Sequence, residues 1–178
     1  METELKIFTD GGCSGNPGPG GWAYVITADK GDGTAVAILA EKWGAEGDTT
    51  NNRMELRAVI AALEAVPGLP AAAGPEAGPE AGPAAGPAAV LNAAAVRITV
   101  VTDSQYVQKG ITQWVHNWKK NDWQTADRKP VKNRDLWEHL DRLSSGMTLH
   151  WAWVRGHTGN ELNERCDRMV QRAIRSLS

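Results

Sequence analysis

Four carboxylates, Asp10, Glu55, Asp103 and Asp167, sit where a chain could gather them for chemistry. Asp10 ends the run Leu5-Lys6-Ile7-Phe8-Thr9, which reads as a short apolar strand. A buried charge without a partner is costly, so Asp10 needs company. Asp103 follows the β-branched run that ends at Thr102. Glu55 falls in the first turn of an expected helix, at the edge of its apolar stripe. Asp167 lies on the last expected helix, one turn after Asn163. Strand-end acids meeting helix-borne acids would make a dense oxygen site, and like charges raise one another's pKa. A hard divalent cation relieves that repulsion. Mg²⁺ prefers oxygen ligands and is commonly completed by substrate phosphate. Two such ions about 4 Å apart can activate water and stabilise the leaving oxygen of a phosphodiester. Each acid also has a plainer reading. Asp103 could cap a helix, Glu55 could balance a helix dipole, and Asp167, beside Arg165 and Arg168, could lie on a solvated face. Asp10 is the hardest to explain away.

The elements that must position these acids follow from hydrophobic spacing. Strands are expected to end at Asp10, to span Trp22–Thr27, and to run from about Val36 to Trp43, giving an antiparallel meander. Residues 11–21 and Gly31-Asp32-Gly33 read as turns. Thr49 to Asn52 offer capping oxygens for a helix with Leu56, Val59, Ile60 and Leu63 on one stripe, ended by Pro67. Val96–Thr102 is a buried strand, followed by a short helix closed by Gly110 and another from Ile111 to Lys120. Asn133 is placed to cap a helix with the stripe Leu136, Leu140 and Leu143. Met147, Leu149, Trp151 and Trp153 alternate as in a strand. The last helix starts near Asn160 and carries Leu162, Cys166, Met169, Val170, Ala173, Ile174 and Leu177. The order βββ-α-β-ααα-β-α implies one mixed sheet with helices on its faces, an α/β fold in a single domain. The segment at about 67–95 repeats Ala-Gly-Pro with few large apolar residues, and reads as a flexible, inert loop set into that domain.

Local charge adds a second theme. The chain has 178 residues and a net charge of −2, so bulk charge does not mark a nucleic-acid binder. From Val107 to Arg134, however, seven Lys and Arg stand against two Asp. Three of the chain's eight Trp, Trp114, Trp118 and Trp123, are interleaved with Lys119 and Lys120. Cations mixed with planar rings suit a nucleic-acid strand; a Trp-anchored helix with solvated lysines is the alternative. His157, in a glycine-flanked loop, is a candidate proton shuttle or an aid to product release if the acids are near. The Gly15–Gly21 turn is not a phosphate loop, because it feeds a strand rather than a helix. Cys13, Ser14 and Asn16 within it could still touch a ligand. Two unpaired Cys suggest neither zinc nor a disulfide framework. No apolar leader or membrane-length run is present, so a soluble, cytoplasmic protein away from membranes is expected; it is also expected to be a monomer.

Several of these stretches together resemble bacterial ribonuclease H of type 1. They are Ile7–Cys13 with Gly15–Gly21, Thr49–Leu56, Thr102–Val107, Gly110–Lys120, Lys129–Asn133, Val154–Gly159 and Asn163–Asp167, in the family's order. The resemblance implies a five-stranded mixed sheet in order 3-2-1-4-5 and Mg²⁺-dependent cleavage of the RNA strand of RNA–DNA hybrids, leaving 5′-phosphate and 3′-hydroxyl ends. Two ions with substrate bound, and Mn²⁺ as a substitute, go with that reading. It further implies that Asp10, Glu55, Asp103 and Asp167 are catalytic metal ligands and that His157 assists. By the same resemblance Asn16, Asn51, Asn52 and Gln105 read the minor groove and the RNA 2′-hydroxyls; Cys13 and Asn163 are further candidate substrate contacts. Thr50 and Asn133 grip a DNA phosphate, and the Trp-Lys segment holds the DNA strand. Two departures stand out: the long Ala-Gly-Pro insertion, and Asn121-Asp122 where the family is often more basic, which implies weaker, more salt-sensitive binding. The competing classes are a catalytically silent binding module and a DNA-cutting nuclease on the same fold.

Overall fold

The computed structural model describes residues 4–29, 36–70, 91–156 and 159–178. The expected turn at Gly31–Gly33, most of the insertion and His157 lie outside the described residues.

Five strands form one sheet: β1 (Glu4–Cys13), β2 (Gly18–Asp29), β3 (Val36–Thr49), β4 (Arg97–Thr102) and β5 (Thr148–Trp153). Their order is β3-β2-β1-β4-β5, with the first three antiparallel and β1, β4 and β5 parallel. The first three strands are longer than hydrophobic spacing suggested. β1 runs past Asp10 to Cys13, and Gly18 to Gly21 pair as strand, so the bend is confined to residues 14–17. Backbone pairing, which glycine can make as well as any residue, extends the hairpin where side chains give no signal.

Helix α1 (Asn51–Ala65) packs on one face and α5 (Glu161–Arg175) on the other. Alternation sorts β1 between them. Leu5 and Ile7 join Leu56, Val59, Ile60 and Leu63 in the core beneath α1, whereas Phe8 joins Cys166 and Val170 beneath α5. Both helices sit unusually close. A Cβ at Gly11 would collide with the backbone of Met54 and Glu55, and one at Gly21 would crowd Ala173 and the Val170 carbonyl. Glycine at these two positions is what lets α1 and α5 approach the sheet.

Beyond β4, Ser104 caps α2 (Gln105–Lys109) by accepting from the Val107 N–H at 3.1 Å, so Asp103 is not the cap. Gly110 caps α2 as expected, but the chain stays helical beyond it. The chain widens into one π-helical stretch, Gly110–Trp114, and continues as α3 (Val115–Lys120). Helix α4 (Arg134–Ser145) buries Leu136, Trp137 and Leu140, with Leu143 half-buried. Asn133 precedes it in the left-handed conformation (φ 60°), but its side chain makes no capping bond. Leu177 lies past the end of α5 and is exposed, not on the apolar stripe. Trp153 likewise leaves the alternation and is 41% exposed.

The margins of the insertion are ordered core, narrower than the expected loop at 67–95. Leu69 and Leu91 are buried, and the Leu91 N–H donates to the Leu69 carbonyl at 3.0 Å.

Candidate active site

The parallel pairing of β1 with β4 stops at Phe8 and Val101. Asp10 and Asp103 each lie two residues beyond that last pair, so alternation puts both on the α5 face, where Asp167 arrives. Glu55 comes from the opposite helix. It sits in the second turn of α1 rather than the first, and the missing Cβ of Gly11 brings it to the sheet end. Ligand oxygens of Asp10, Glu55 and Asp103 all lie within 4.8 Å of one another. Asp167 stands outside that tight group but within hydrogen-bonding reach of Asp10. All four line a cavity of about 210 Å³, together with Asn160 and Asn163.

The electrostatics match the crowding. Burial, then the charges of Asp103 and Asp167, push Asp10 up to about 8, against a smaller opposing pull from the Gly11 N–H. Glu55 is raised well above the carboxylate range, first by burial and then by Asp10 and Asp103. Glu55 Oε2 and Asn163 Oδ1 are buried acceptors with no donor among the described residues. Hard oxygen donors, carboxyls held unwillingly neutral and buried acceptors with no donor are what a divalent cation would satisfy.

Around the cavity, the other sequence-selected residues fall into three groups. On the first side, the Cys13 N–H donates to Asn51 Oδ1 (2.8 Å) and the Asn51 N–H donates to Asn16 Oδ1 (3.2 Å), which ties the hairpin bend to the start of α1. Asn52 and Gln105 are exposed at the first turns of α1 and α2. In the second group, Thr50 caps α1 by accepting from the Arg53 N–H (3.3 Å), and Arg53 Nη1 donates to Asn133 Oδ1 (3.2 Å). The third is an aromatic ladder: Trp114 meets Tyr106 edge-on at 5.8 Å, and Trp118 contacts Trp114, Trp123 and Trp137 at 5.9, 6.4 and 5.5 Å. These rings anchor the segment bearing Lys119 and Lys120. Lys119 pairs with Asp141 at 3.2 Å, while Lys120 is exposed without a partner among the described residues.

Sequence reasoning passed over four residues at this site. Arg53 and Tyr106 fix Asn133, whose Nδ2 donates to Tyr106 Oη at 3.1 Å. Trp153 Nε1 donates to the Asp103 carbonyl at 2.9 Å. Gly156 brings its loop against Asp103. No spacing rule reveals pairs like Arg53 with Asn133, which are 80 positions apart.

Comparison with known proteins agrees with this geometry. The family model described as RNase H matches residues 2–71 and 84–175. The ribonuclease H of Treponema denticola is 44% identical over 173 residues, covering 97% of this chain and 98% of its own. That of Paracoccus denitrificans is 45% identical over 167 residues, covering 94% and 90%. Among solved structures, LC9-RNase H1, described as a type 1 RNase H with the type 2 active-site motif, superposes with a TM-score of 0.74. It is 27% identical, over 100% of this chain and 75% of that one. LC11-RNase H1, solved in complex with RNA/DNA hybrid, shares the fold at a TM-score of 0.62 and 24% identity, over 98% and 99% of the two chains. The chain belongs to the ribonuclease H family of endonucleases.

Proposed function

We propose that this protein hydrolyses the RNA strand of RNA–DNA hybrids with divalent metal, Asp10, Glu55, Asp103 and Asp167 being the metal-holding carboxylates. The observation that carries this reading is the convergence of three carboxylate oxygens within 4.8 Å, with Asp167 beside Asp10. When bound, Mg²⁺, as two ions with substrate or with Mn²⁺ in its place, supplies Lewis acidity and neutralises charge developing at the phosphodiester. The protein's own groups do the rest. The two faces of the sheet deliver carboxylates from opposite sides, and Asn163 Oδ1 offers a further acceptor at the cavity wall. His157, next in sequence to Gly156, is assigned the proton-shuttling or product-release role.

Substrate grip is assigned to the flanking groups. Cys13, Asn16, Asn51, Asn52 and Gln105 face the RNA strand, whose 2′-hydroxyl can donate and accept, a demand that DNA does not meet. Thr50 and Asn133 take a phosphate of the DNA strand. The segment of Trp114, Trp118, Lys119, Lys120 and Trp123 holds that strand further along. All four carboxylates come from one chain, so a monomer suffices, and two free thiols suit a reducing cytoplasm. No described helix is long and apolar enough to cross a membrane.

A substrate panel tests the assignment: labelled RNA–DNA hybrid, single-stranded RNA and duplex DNA, each with Mg²⁺ or with chelator. The expected result is cleavage of the hybrid's RNA strand alone, and only with metal. A hybrid that survives in Mg²⁺, or DNA cut equally well, sinks it.

A further inference from the structure

Helix α5 has two flanks of opposite character. One turns Asn163, Asp167 and Gln171 to the catalytic cavity. The other turns Arg165, Arg168 and Arg172 towards β3, an outer strand of the sheet. Between this flank and β3 runs an open groove of about 520 Å³, larger than the catalytic cavity, whose rim includes Lys42 and Trp43. Three arginines of α5 meet one carboxylate there, Glu41, while Lys42 alternates to the α1 face, where its register partner Tyr24 packs. Arg165 is held by Glu41 in a two-bonded pair at 2.7 and 2.9 Å, which fixes the helix to the strand. The side chains of Arg168, Arg172 and Lys42 have no hydrogen-bond or ion-pair partner among the described residues. Trp43 is 37% exposed, although its register partner Ala23 is fully buried in the core beneath α5.

Two unpartnered arginines, Arg168 and Arg172, beside a half-exposed indole are not explained by folding. Charges left solvated and unpaired repel one another, and an exposed Trp contributes little burial. Arg168 and Arg172 are one helical turn apart, about 6 Å along the axis at 1.5 Å per residue. A positive groove with an aromatic platform is how proteins hold single-stranded nucleic acid without reading its sequence.

We propose that the β3–α5 groove is a second, non-catalytic site that binds single-stranded nucleic acid, with Arg168 and Arg172 on successive phosphates and Trp43 stacked on a base. The site rests on the proposed function only in taking nucleic acid as the enzyme's ligand class. It would retain the single-stranded extension of a hybrid whose duplex part occupies the catalytic groove.

The test uses fluorescently labelled dT12, followed by anisotropy in chelator, with the catalytic groove saturated by unlabelled blunt hybrid. Wild-type protein is expected to bind dT12 under these conditions. R168Q/R172Q is expected to lower the slope of log affinity against log salt by about 1.4, as for two single-strand phosphates. W43A is expected to weaken binding at least about fivefold. R168K/R172K retains the charge and is expected to keep the wild-type slope. Both arginines lack a hydrogen-bond or ion-pair partner among the described residues, and melting curves check that each variant is folded. Blunt-hybrid cleavage in Mg²⁺, measured in parallel, should be unchanged by all three variants. If blunt hybrid displaces dT12 completely from wild type, or if R168Q/R172Q binds with unchanged slope, the site is refuted, including the case in which the groove serves an acidic protein instead. Loss of hybrid cleavage by wild type would refute the catalytic reading while leaving the dT12 result to judge the groove.

Discussion

Asp10 and Glu55 are strained residues in the electrostatic sense. Both carboxyls hold protons more tightly in the folded chain than in the unfolded chain, Asp10 up to about 8 and Glu55 well above the usual carboxylate range. The folded state therefore binds more protons than the unfolded state once pH exceeds about 4, and stability falls as pH rises from there towards 8. Metal-free protein should melt at lower temperature at pH 8 than at pH 5. Asp10→Asn should flatten that dependence, and Mg²⁺ should restore wild-type stability at pH 8. Thermal melts in chelator and in Mg²⁺ check all three, and a melting temperature that climbs from pH 5 to 8 without metal would contradict the electrostatic picture. A second residue-scale test concerns Asn133. Tyr106 Oη accepts from Asn133 Nδ2 and from Trp137 Nε1 at 3.0 Å. Tyr106→Phe leaves two donors unmatched, at a cost of about 1–3 kcal/mol. If Asn133 grips a phosphate, KM for hybrid should rise while kcat holds. At this scale the four acids were legible because each sits in a local motif. The hydrogen bonds that orient their neighbours were not, since they join residues distant in sequence through side-chain geometry.

Among the elements, β1 and α1 form the decisive pair. Their separation is set by Gly11, whose absent side chain lets the Met54–Glu55 backbone approach the strand. Gly11→Ala must push them apart. The cost should be about 1–3 kcal/mol of stability, as for other overpacked sites, and activity should fall far more than stability, because Glu55 moves with its helix. Urea unfolding and hybrid cleavage on the same preparation check this; retained activity would show that Glu55 is not placed by this contact. Strand and helix identities were readable from periodicity throughout. The boundaries were not. Gly18, Gly20 and Gly21 pair as strand through their backbone, and past Gly110, which caps α2, the chain continues as a widened helix. In both cases the neighbouring element, not local propensity, decides. The aromatic segment has two readings in the sequence, rings facing a ligand or a Trp-anchored helix with solvated lysines; in the fold Trp118 contacts both Trp114 and Trp123, and Trp114 and Trp118 also contact Tyr106 and Trp137 respectively.

For the whole molecule, the sheet order places β1 at the centre with β4 beside it, so two hairpins and one crossover bring Asp10 and Asp103 together. The insertion interrupts the chain between α1 and β4 without interrupting this core. The family match breaks after residue 71 and resumes at residue 84, within the insertion. Leu69 and Leu91 close its base. Loop-closure entropy changes slowly with length. Deleting residues 72–89 should therefore leave melting temperature and cleavage near wild type, whereas Leu91→Ala should cost about 2–4 kcal/mol as a core truncation. A deletion that unfolds the protein or abolishes cleavage would show that the insertion is not inert. The central claim is that Asp10, at the end of the central strand pairing, is one of four carboxylates whose shared task is metal-dependent cleavage of hybrid RNA. The most direct measurement is single-turnover cleavage of a strand-labelled RNA–DNA hybrid in Mg²⁺ by wild type and by folded Asp10→Asn. The account predicts RNA-strand products with 5′-phosphate ends from wild type, and a rate at least about a hundredfold lower from the variant. An Asp10→Asn protein that cuts the hybrid at the wild-type rate would contradict it.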